Sequence, residues 1–191
     1  GNQSLITFID GGSLAKDFPI TSTFCKTSKY YLETYKLKVK LRNVEMTEKI
    51  LTELNIRTYQ HTDMEDVIHI WKECGLIRSW NNPKLDIQRK VKTQNDLFFV
   101  AELLNRIIAT AMFGYDGHRG WLNYFAVLPQ FQKSGYGKQL LEFGEKILFD
   151  KCCPKINLQI RADNKEAINF YNAVGYDEDE VTSFGKRLIE D

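Results

Sequence analysis

The order of the secondary-structure signals between residues 121 and 161 limits the fold more than any other feature. Trp121 to Val127 has the composition of a strand, which ends at Leu128-Pro129 because proline has no amide to donate to a strand ladder. Lys138 to Asp150 places apolar residues at helical intervals, and Lys155 to Arg161 alternates apolar with polar residues. A strand, a helix and a second strand in this order predict a parallel pair joined by a right-handed crossover.

The segments on either side of this unit predict further strands. Leu97 to Glu102 and Arg106 to Tyr115 indicate two strands joined at a short turn, which makes an antiparallel hairpin. Shorter strands are predicted at Asn55–Tyr59, near Tyr176 and at Ser183–Ile189. Hairpins combined with a parallel pair make the sheet mixed, and the predicted fold class is α/β (α+β).

Capping residues mark the remaining helices of the main domain. Thr62 to Glu65 has the spacing of a capping box, with threonine at the N-cap, and Gly75 ends the helix that follows. Asn82-Pro83 begins a second helix, because proline suits the first helical position. A later helix is predicted from Asn164 to Val174.

The first 53 residues carry weaker signals, and we expect them to form an N-terminal extension to a domain that spans residues 54–191. Leu5 to Ile9 predicts a strand, and Arg42 to Glu53 a helix. Tyr35 to Arg42 alternates apolar with basic residues, which favours a strand with one solvated face. Such a basic face either protects a sheet edge from unwanted pairing or recruits an acidic partner.

Composition excludes several functional classes. The chain has 26 basic and 25 acidic side chains, so its net charge of +1 supports binding neither to nucleic acid nor to an anionic membrane. No apolar stretch is long enough to span a bilayer. The first residues lack the basic region, apolar run and cleavage site of a secretion signal, so secretion is not expected. The four cysteines form no C-x-x-C pair, which predicts neither a metal site nor a disulfide framework and favours the cytoplasm.

The loop from Gln132 to Gly137 indicates an anion-binding site. Gly135 and Gly137 allow the backbone to approach a ligand closely, and the helix that follows directs unpaired amides and a positive dipole end towards the loop. Lys133 and Lys138 add positive charge. A phosphate or diphosphate is the ligand that suits a helix N-terminus of this kind.

Two common phosphate-binding loops do not fit this sequence. A Walker A loop requires glycine at position 132 and serine or threonine at position 139, where the chain has Gln132 and Gln139. A dinucleotide-binding fingerprint requires a third glycine at position 140, which is Leu140. Neither a P-loop nucleotidase nor a Rossmann dehydrogenase is therefore predicted.

A third pattern fits. Val127-x-Pro129 followed by Gln132-x-x-Gly135-x-Gly137 resembles the acetyl-CoA signature of the GCN5-related N-acetyltransferase (GNAT) family. Asn164 and Tyr171, seven residues apart, are similar to the family's later strand–helix unit. The resemblance covers about Leu54 to Ile189 and is closest to the bacterial YpeA-like branch, on three segments: Ser79–Pro83, Gly114–Gly120 and Gly185–Asp191. It implies a mixed, mostly antiparallel central sheet with a splayed parallel strand pair and flanking helices.

The resemblance also implies a cofactor site. The pantetheine arm of acetyl-CoA is expected along the strand residues Phe125, Ala126 and Val127, with Asn164 on the other side. The diphosphate is expected on the loop that Gln132 opens, at the amides of Lys133, Ser134, Gly135, Tyr136, Gly137 and Lys138. Tyr171 is the expected general acid for the departing thiolate.

The catalytic base does not carry over from the family. Protein N-terminal acetyltransferases of the family place a glutamate where this chain has Gln159, and an amide cannot accept the ammonium proton. Asp116 and His118, in the loop before the cofactor strand, are alternatives, and Trp80 and Asp86 are candidates for the acceptor pocket.

The predicted function is an acetyl-CoA-dependent N-acetyltransferase that acts directly on a primary amine of a small molecule or a peptide. A homodimer is the expected assembly. Two other functions stay open at this stage. Gln159 favours a non-catalytic acyl-CoA-binding module for regulation. The other is an RNA- or protein-binding adaptor built on the basic N-terminal segment, against which the balanced overall charge and the lack of an aromatic-basic motif argue. No metal is expected to take part.

Overall fold

The computed structural model describes residues 32–44 and 53–189. The chain divides into two units, Gly1–Thr47 and Glu48–Asp191. The predicted strand Leu5–Ile9 and most of the predicted helix Arg42–Glu53 lie outside the described residues.

In the first unit, residues 32–44 form a helix, α1, in which every residue is exposed. The strand predicted for Tyr35–Arg42 is therefore wrong. Alternation predicts a strand only where a neighbouring strand binds its backbone, and no described residue pairs with this segment. Leucine, lysine, glutamate and arginine are strong helix formers, and a helix satisfies its backbone without a partner.

The second unit is built on a five-stranded sheet in the order β1-β2-β3-β4-β5. The strands are β1 (Asn55–Thr58), β2 (Phe98–Leu103), β3 (Arg106–Tyr115), β4 (Gly120–Val127) and β5 (Ile156–Leu158). The first four strands pair antiparallel, and β4 pairs with β5 in parallel. The predicted mixed, mostly antiparallel sheet is confirmed, as is the hairpin, whose turn residues Leu104 and Asn105 have φ of 52° and 58°.

Helices cover both faces of the sheet: α2 (Met64–Glu73) and α3 (Pro83–Gln94) on one, α4 (Tyr136–Asp150) and α5 (Lys165–Ala173) on the other. The alternation of β2 separates the two cores. Phe98 packs with Trp71 on the α2–α3 side, and Phe99 packs with Phe113 on the α4–α5 side. The residues between β4 and β5 thus form the predicted crossover.

The start of α2 differs from the prediction. The residue that closes the capping box is Asp63, whose carboxylate accepts the Gln60 amide at 2.7 Å, and His61–Asp63 form a 3-10 turn. The buried Asp63, and not Thr62, stands at the N-cap of α2. The Arg57 guanidinium fixes it by donating to both oxygens of its carboxylate, at 2.7 Å and 3.0 Å. Asn82 caps α3 as predicted, since its side chain accepts the amides of the second and third helical residues.

The two strands predicted at the end of the chain are not formed. Residues 176–189 contain no helix or strand, and Val181, Phe184 and Leu188 are exposed. Four consecutive acidic residues, 177–180, repel one another, and Gly185 lowers the strand propensity of the rest.

Replacement of Gly144 by alanine should destabilise the domain. A Cβ at this position of α4 would overlap the ring of the fully buried Phe113. Overpacking of this kind costs about 1–3 kcal/mol and exceeds the gain of at most about 1 kcal/mol in helix propensity. Urea unfolding of Gly144→Ala should show a lower free energy of unfolding. Gly185→Ala is the matched control, since its Cβ would meet no atom within 4 Å; equal stability of the two variants would contradict the packing argument.

Candidate functional site

Strands β4 and β5 separate after three residue pairs. Gly120 pairs with Ile156, the next two residues of each strand pair likewise, and the ladder ends at Leu122 and Leu158. β4 continues to Val127 along β3, but no described residue pairs with its other edge beyond Leu122. The splayed parallel pair that the resemblance implied is therefore present, and it leaves a row of backbone donors and acceptors open to a ligand.

A bulge turns the side chains of β4 at this opening. Between Thr110 and Met112 of β3 the register on β4 moves from Ala126 to Asn123, so β4 has one extra residue. Tyr124 absorbs it with a φ of 48°. The buried Thr110 hydroxyl donates to the Tyr124 carbonyl at 3.1 Å and accepts the Trp71 indole N–H at 2.9 Å.

The predicted anion loop lies at the end of the open edge. The Gln132 side-chain amide donates to the carbonyl of Val127 at 2.8 Å, which ties the loop to the strand. Gly135, with a φ of 84°, is the N-cap of α4, and no side chain caps this helix. The first amides of α4 and its positive dipole end are thus available to an anion.

Side chains around the loop supply positive charge and close packing. Lys133 and Lys138 are largely exposed, and their ion pairs with the described residues Glu166 and Glu142 are long, at 3.8 Å and 3.7 Å. A Cβ at Gly137 would lie 3.4 Å from Val127 and 3.6 Å from Phe125, so the helix starts in contact with the end of β4. Ser134 and Tyr136 lie in the same turn.

Helix α5 forms the other wall of the cleft. Asn164 is its N-cap and accepts the Ala167 amide at 3.1 Å through Oδ1, which leaves the side-chain NH₂ for a ligand. Tyr171 is 9% exposed, and its ring lies 6.1 Å from Phe125 of β4. Burial raises the pKa of the Tyr171 hydroxyl far above its ordinary value, so this group stays protonated at neutral pH.

Tyr171 sits within an aromatic cluster. Phe170 stacks on Phe125 at 5.8 Å, and Tyr176 packs edge-on against Tyr171 at 5.5 Å. The Tyr171 hydroxyl makes no hydrogen bond with a described residue, yet it is not among the fully buried polar atoms. The hydroxyl is therefore protonated and without a hydrogen-bond acceptor among the described residues.

On the α2–α3 side, a polar network meets β4 at the bulge. The Tyr124 hydroxyl donates to Asp86 Oδ2 at 2.6 Å and accepts from Asn81 Nδ2 at 3.2 Å. Trp80 is next to Asn81 in the chain and 54% exposed. Sequence reasoning named Trp80 and Asp86 but missed Tyr124; the signal available was its neighbour Phe125, because adjacent strand residues face opposite sides of a sheet.

Asp116 and His118 are not brought to the opening. Their loop precedes Gly120, the paired end of β4, and Phe125 is the fifth residue after Gly120, about 17 Å away at 3.4 Å per residue. The Asp116 carboxylate accepts the amides of Arg119 and His118 at 2.7 Å and 2.8 Å, which lowers its pKa below the ordinary value and makes it a weaker base.

Gln159 follows β5 directly in the chain. Its side-chain amide donates to the Ser183 hydroxyl at 2.5 Å. Within residues 32–44 and 53–189, no three His, Cys, Asp or Glu side chains come together in a way that could hold a metal ion. None of the helices in the described part of the chain combines the length and apolarity that a membrane span requires.

Comparison with known proteins identifies the class of this site. The model of the acetyltransferase (GNAT) family matches residues 49–176. The protein named Acetyltransferase SG1711 from Sodalis glossinidius (strain morsitans) is 44% identical over 139 residues, which are 72% of this chain and 98% of the relative.

Solved structures share the fold at lower identity. Aminoglycoside N-acetyltransferase AAC(6')-Iy in complex with CoA superposes with a TM-score of 0.58 at 21% identity, over 72% of this chain and 97% of that one. Glucosamine-6-phosphate N-acetyltransferase from Arabidopsis thaliana gives 0.53 at 20% identity, over 72% and 99%. Since the family model covers most of the chain and the 44% identical relative nearly its full length, the chain belongs to the GNAT family and is an acetyltransferase that uses acetyl-CoA.

Proposed function

We propose that this acetyltransferase transfers the acetyl group of acetyl-CoA directly to a primary amine of a small molecule or a peptide. The observation that carries the proposal is the open edge of β4, which ends at the uncapped N-terminus of α4 and carries Phe125, whose ring contacts that of Tyr171. The open strand edge suits the thioester arm, the helix N-terminus suits the diphosphate, and Tyr171 suits the leaving thiolate.

The cofactor is proposed to bind as an added strand. The amide groups of pantetheine would pair with the backbone of Phe125, Ala126 and Val127, which lacks a described partner on the β5 side. The diphosphate would accept the amides of the loop that Gln132 fastens, namely those of Lys133, Ser134, Gly135, Tyr136, Gly137 and Lys138. The side-chain NH₂ of Asn164 would hold the cofactor from the α5 wall.

The chemistry follows from the same geometry. A neutral amine attacks the thioester carbon, and a backbone N–H on the open edge of β4 stabilises the oxyanion. When the intermediate collapses, the C–S bond breaks and the Tyr171 hydroxyl gives its proton to the sulfur. Tyr171 is proposed for this step because its raised pKa keeps the hydroxyl protonated at neutral pH, so a proton is present when the C–S bond breaks.

Other features of the protein are proposed on narrower grounds. The quoted segments favour membership of the YpeA-like branch, and residues 1–53 would be an extension to a domain of residues 54–191. Cys74, Cys152 and Cys153 are free thiols, which suits a bacterial cytoplasm. Exposed apolar residues in the last segment favour a homodimer.

Release of coenzyme A with a panel of amines tests the proposed function. The panel contains an aminoglycoside, glucosamine 6-phosphate, a polyamine and a short peptide with a free N-terminus. We expect acceptor-dependent release with at least one of them. Thermal stabilisation by acetyl-CoA without release on any amine would contradict the proposal.

Tyr171→Phe should lower turnover by at least about 100-fold, the usual contribution of a general acid. Acetyl-CoA affinity, measured by calorimetry, should change little, because the ring and its packing remain. Tyr115→Phe is the matched control; its hydroxyl donates to Gly117 and Cys152 carbonyls at the paired end of β4. Unchanged turnover of the Tyr171 variant would refute the assignment.

Gly135→Ala should weaken acetyl-CoA binding about tenfold or more. The residue has a φ of 84°, which a side chain opposes, so the loop would shift its amides away from the diphosphate. Gly75→Ala imposes the same kind of strain, at a φ of 65° after α2, and should leave affinity unchanged. Equal effects of the two variants on affinity would show that strain alone, and not the loop, is responsible.

A further inference from the structure

Acetyl transfer requires a neutral amine, and the residues so far described provide no base for it. Gln159 carries an amide, which cannot accept the ammonium proton, and its side chain donates to the Ser183 hydroxyl. Asp116 lies at the far end of β4, where its Oδ1 accepts two backbone amides and its Oδ2 accepts the Trp121 indole N–H. The carboxylate of Asp86 accepts a hydrogen bond from Tyr124, a residue in the open part of β4.

The bond between Tyr124 and Asp86 is short and directed. The phenol donates to Asp86 Oδ2 at 2.6 Å, a length typical of a charge-assisted hydrogen bond. Arg89 pairs with the other oxygen, Oδ1, at 3.2 Å, and the Asp86 side chain is 21% exposed. The carboxylate is thus partly withdrawn from water and reaches the cleft by way of the phenol.

Tyr124 is held firmly in this position. Its ring stacks on Trp71 with centroids 3.9 Å apart, and the Thr110 hydroxyl holds its carbonyl at 3.1 Å. A non-glycine residue with a φ of 48° is unfavourable and persists only where its surroundings impose it. The bulge therefore serves to place this phenol.

The placement brings the phenol next to the proposed thioester site. Tyr124 and Phe125 are consecutive residues whose side chains lie on opposite faces of β4, and Phe125 contacts Tyr171. The sheet is open beyond Leu122 and Leu158, so a ligand in the gap can meet both faces. An amine that enters from the α2–α3 side would pass Tyr124 before it reaches the acetyl group.

We propose that Asp86, acting through Tyr124, is the base that deprotonates the acceptor, which is an aliphatic amine that arrives as its ammonium ion. This inference rests on the proposed function. Tyr124 Oη takes one ammonium proton while its own proton moves to Asp86 Oδ2. The amine nitrogen then bonds to the thioester carbon, the C–S bond breaks, and the sulfur takes the Tyr171 proton.

The protons balance over one turn. The nitrogen of the intermediate loses its second proton to water, Tyr171 regains one, and Asp86 releases the one it holds. Ammonium and thioester thus give amide, thiol and one proton to solvent. Among the described residues, Arg89 on α3 pairs with Asp86, and Arg187 donates to Asn81, which in turn bonds to the Tyr124 hydroxyl. The Lys84–Glu65 pair links α3 to α2.

The pH dependence of kcat/KM in Asp86→Asn tests the proposal, with the amine that the wild type acetylates fastest. At pH 7 the loss should be at least about 100-fold, as for removal of a general base. It should shrink towards the wild-type value near pH 10, where such an amine, with a pKa of about 10.4, is partly neutral without help. Tyr124→Phe, which keeps the ring on Trp71, should show the same pH-dependent loss.

Controls separate this role from structural damage and from failure of the proposed function. Both variants should keep the thermal stabilisation by acetyl-CoA, and Asp66→Asn, an exposed carboxylate on α2, should match the wild type. A loss that is constant with pH, or no loss, would overturn the base while leaving acetyl transfer intact. No coenzyme A release by the wild type with any amine of the panel would overturn both.

Discussion

The hydrogen bond from the Thr110 hydroxyl to the Tyr124 carbonyl determines the geometry on which the site depends. It is buried, it is shared with the Trp71 indole, and it fixes one extra residue into β4. The bulge lies where two consecutive side chains of β4 face opposite sides of the sheet. One side chain, Tyr124, goes to the α2–α3 face with the acceptor network, and the next, Phe125, goes to the α4–α5 face with the aromatic cluster.

The loop before α4 binds anions in general, and its position in the fold makes it specific for one kind of ligand. An uncapped helix N-terminus attracts any small anion, and nothing in its amides distinguishes phosphate from coenzyme A. The distinction comes from the strand that leads to it, because the Gln132 bond to Val127 places the anion site at the end of a free backbone edge. A ligand with both an anionic group and a peptide-like arm fits that combination, and family membership identifies it as acetyl-CoA.

Local signals predicted most of the fold, and long-range pairing accounts for what they missed. The hairpin, the crossover, the cap at Asn82 and the helix predicted to begin near Asn164 depend on residues close in the chain, and the structure contains them. The strand predicted at Tyr35–Arg42 and the two near the chain end required partners that no local pattern specifies. The Thr62 cap failed for the same reason, since Arg57 of a separate element fixes Asp63 instead.

For the candidate site, too, the sequence indicates those residues that lie in local motifs. The glycine loop and Tyr171 stand in motifs with fixed spacing, whereas Tyr124 acquires its place from a bulge that depends on a threonine in another strand. Asp116 and His118 were plausible by sequence proximity to β4, but the strand is long enough to hold them well away from its open half.

The short pairing of β5 has a consequence for how the cleft can move. β3 forms ladders with neighbours along both edges, but β5, the strand before the wall that carries Asn164 and Tyr171, has a ladder of three residue pairs with β4. Backbone segments with few ladder bonds open at a lower free-energy cost than the centre of a sheet. We therefore expect amide exchange to be faster in β5 and α5 than in β2 and β3, so that coenzyme A can leave by a local opening of this wall while the core stays folded.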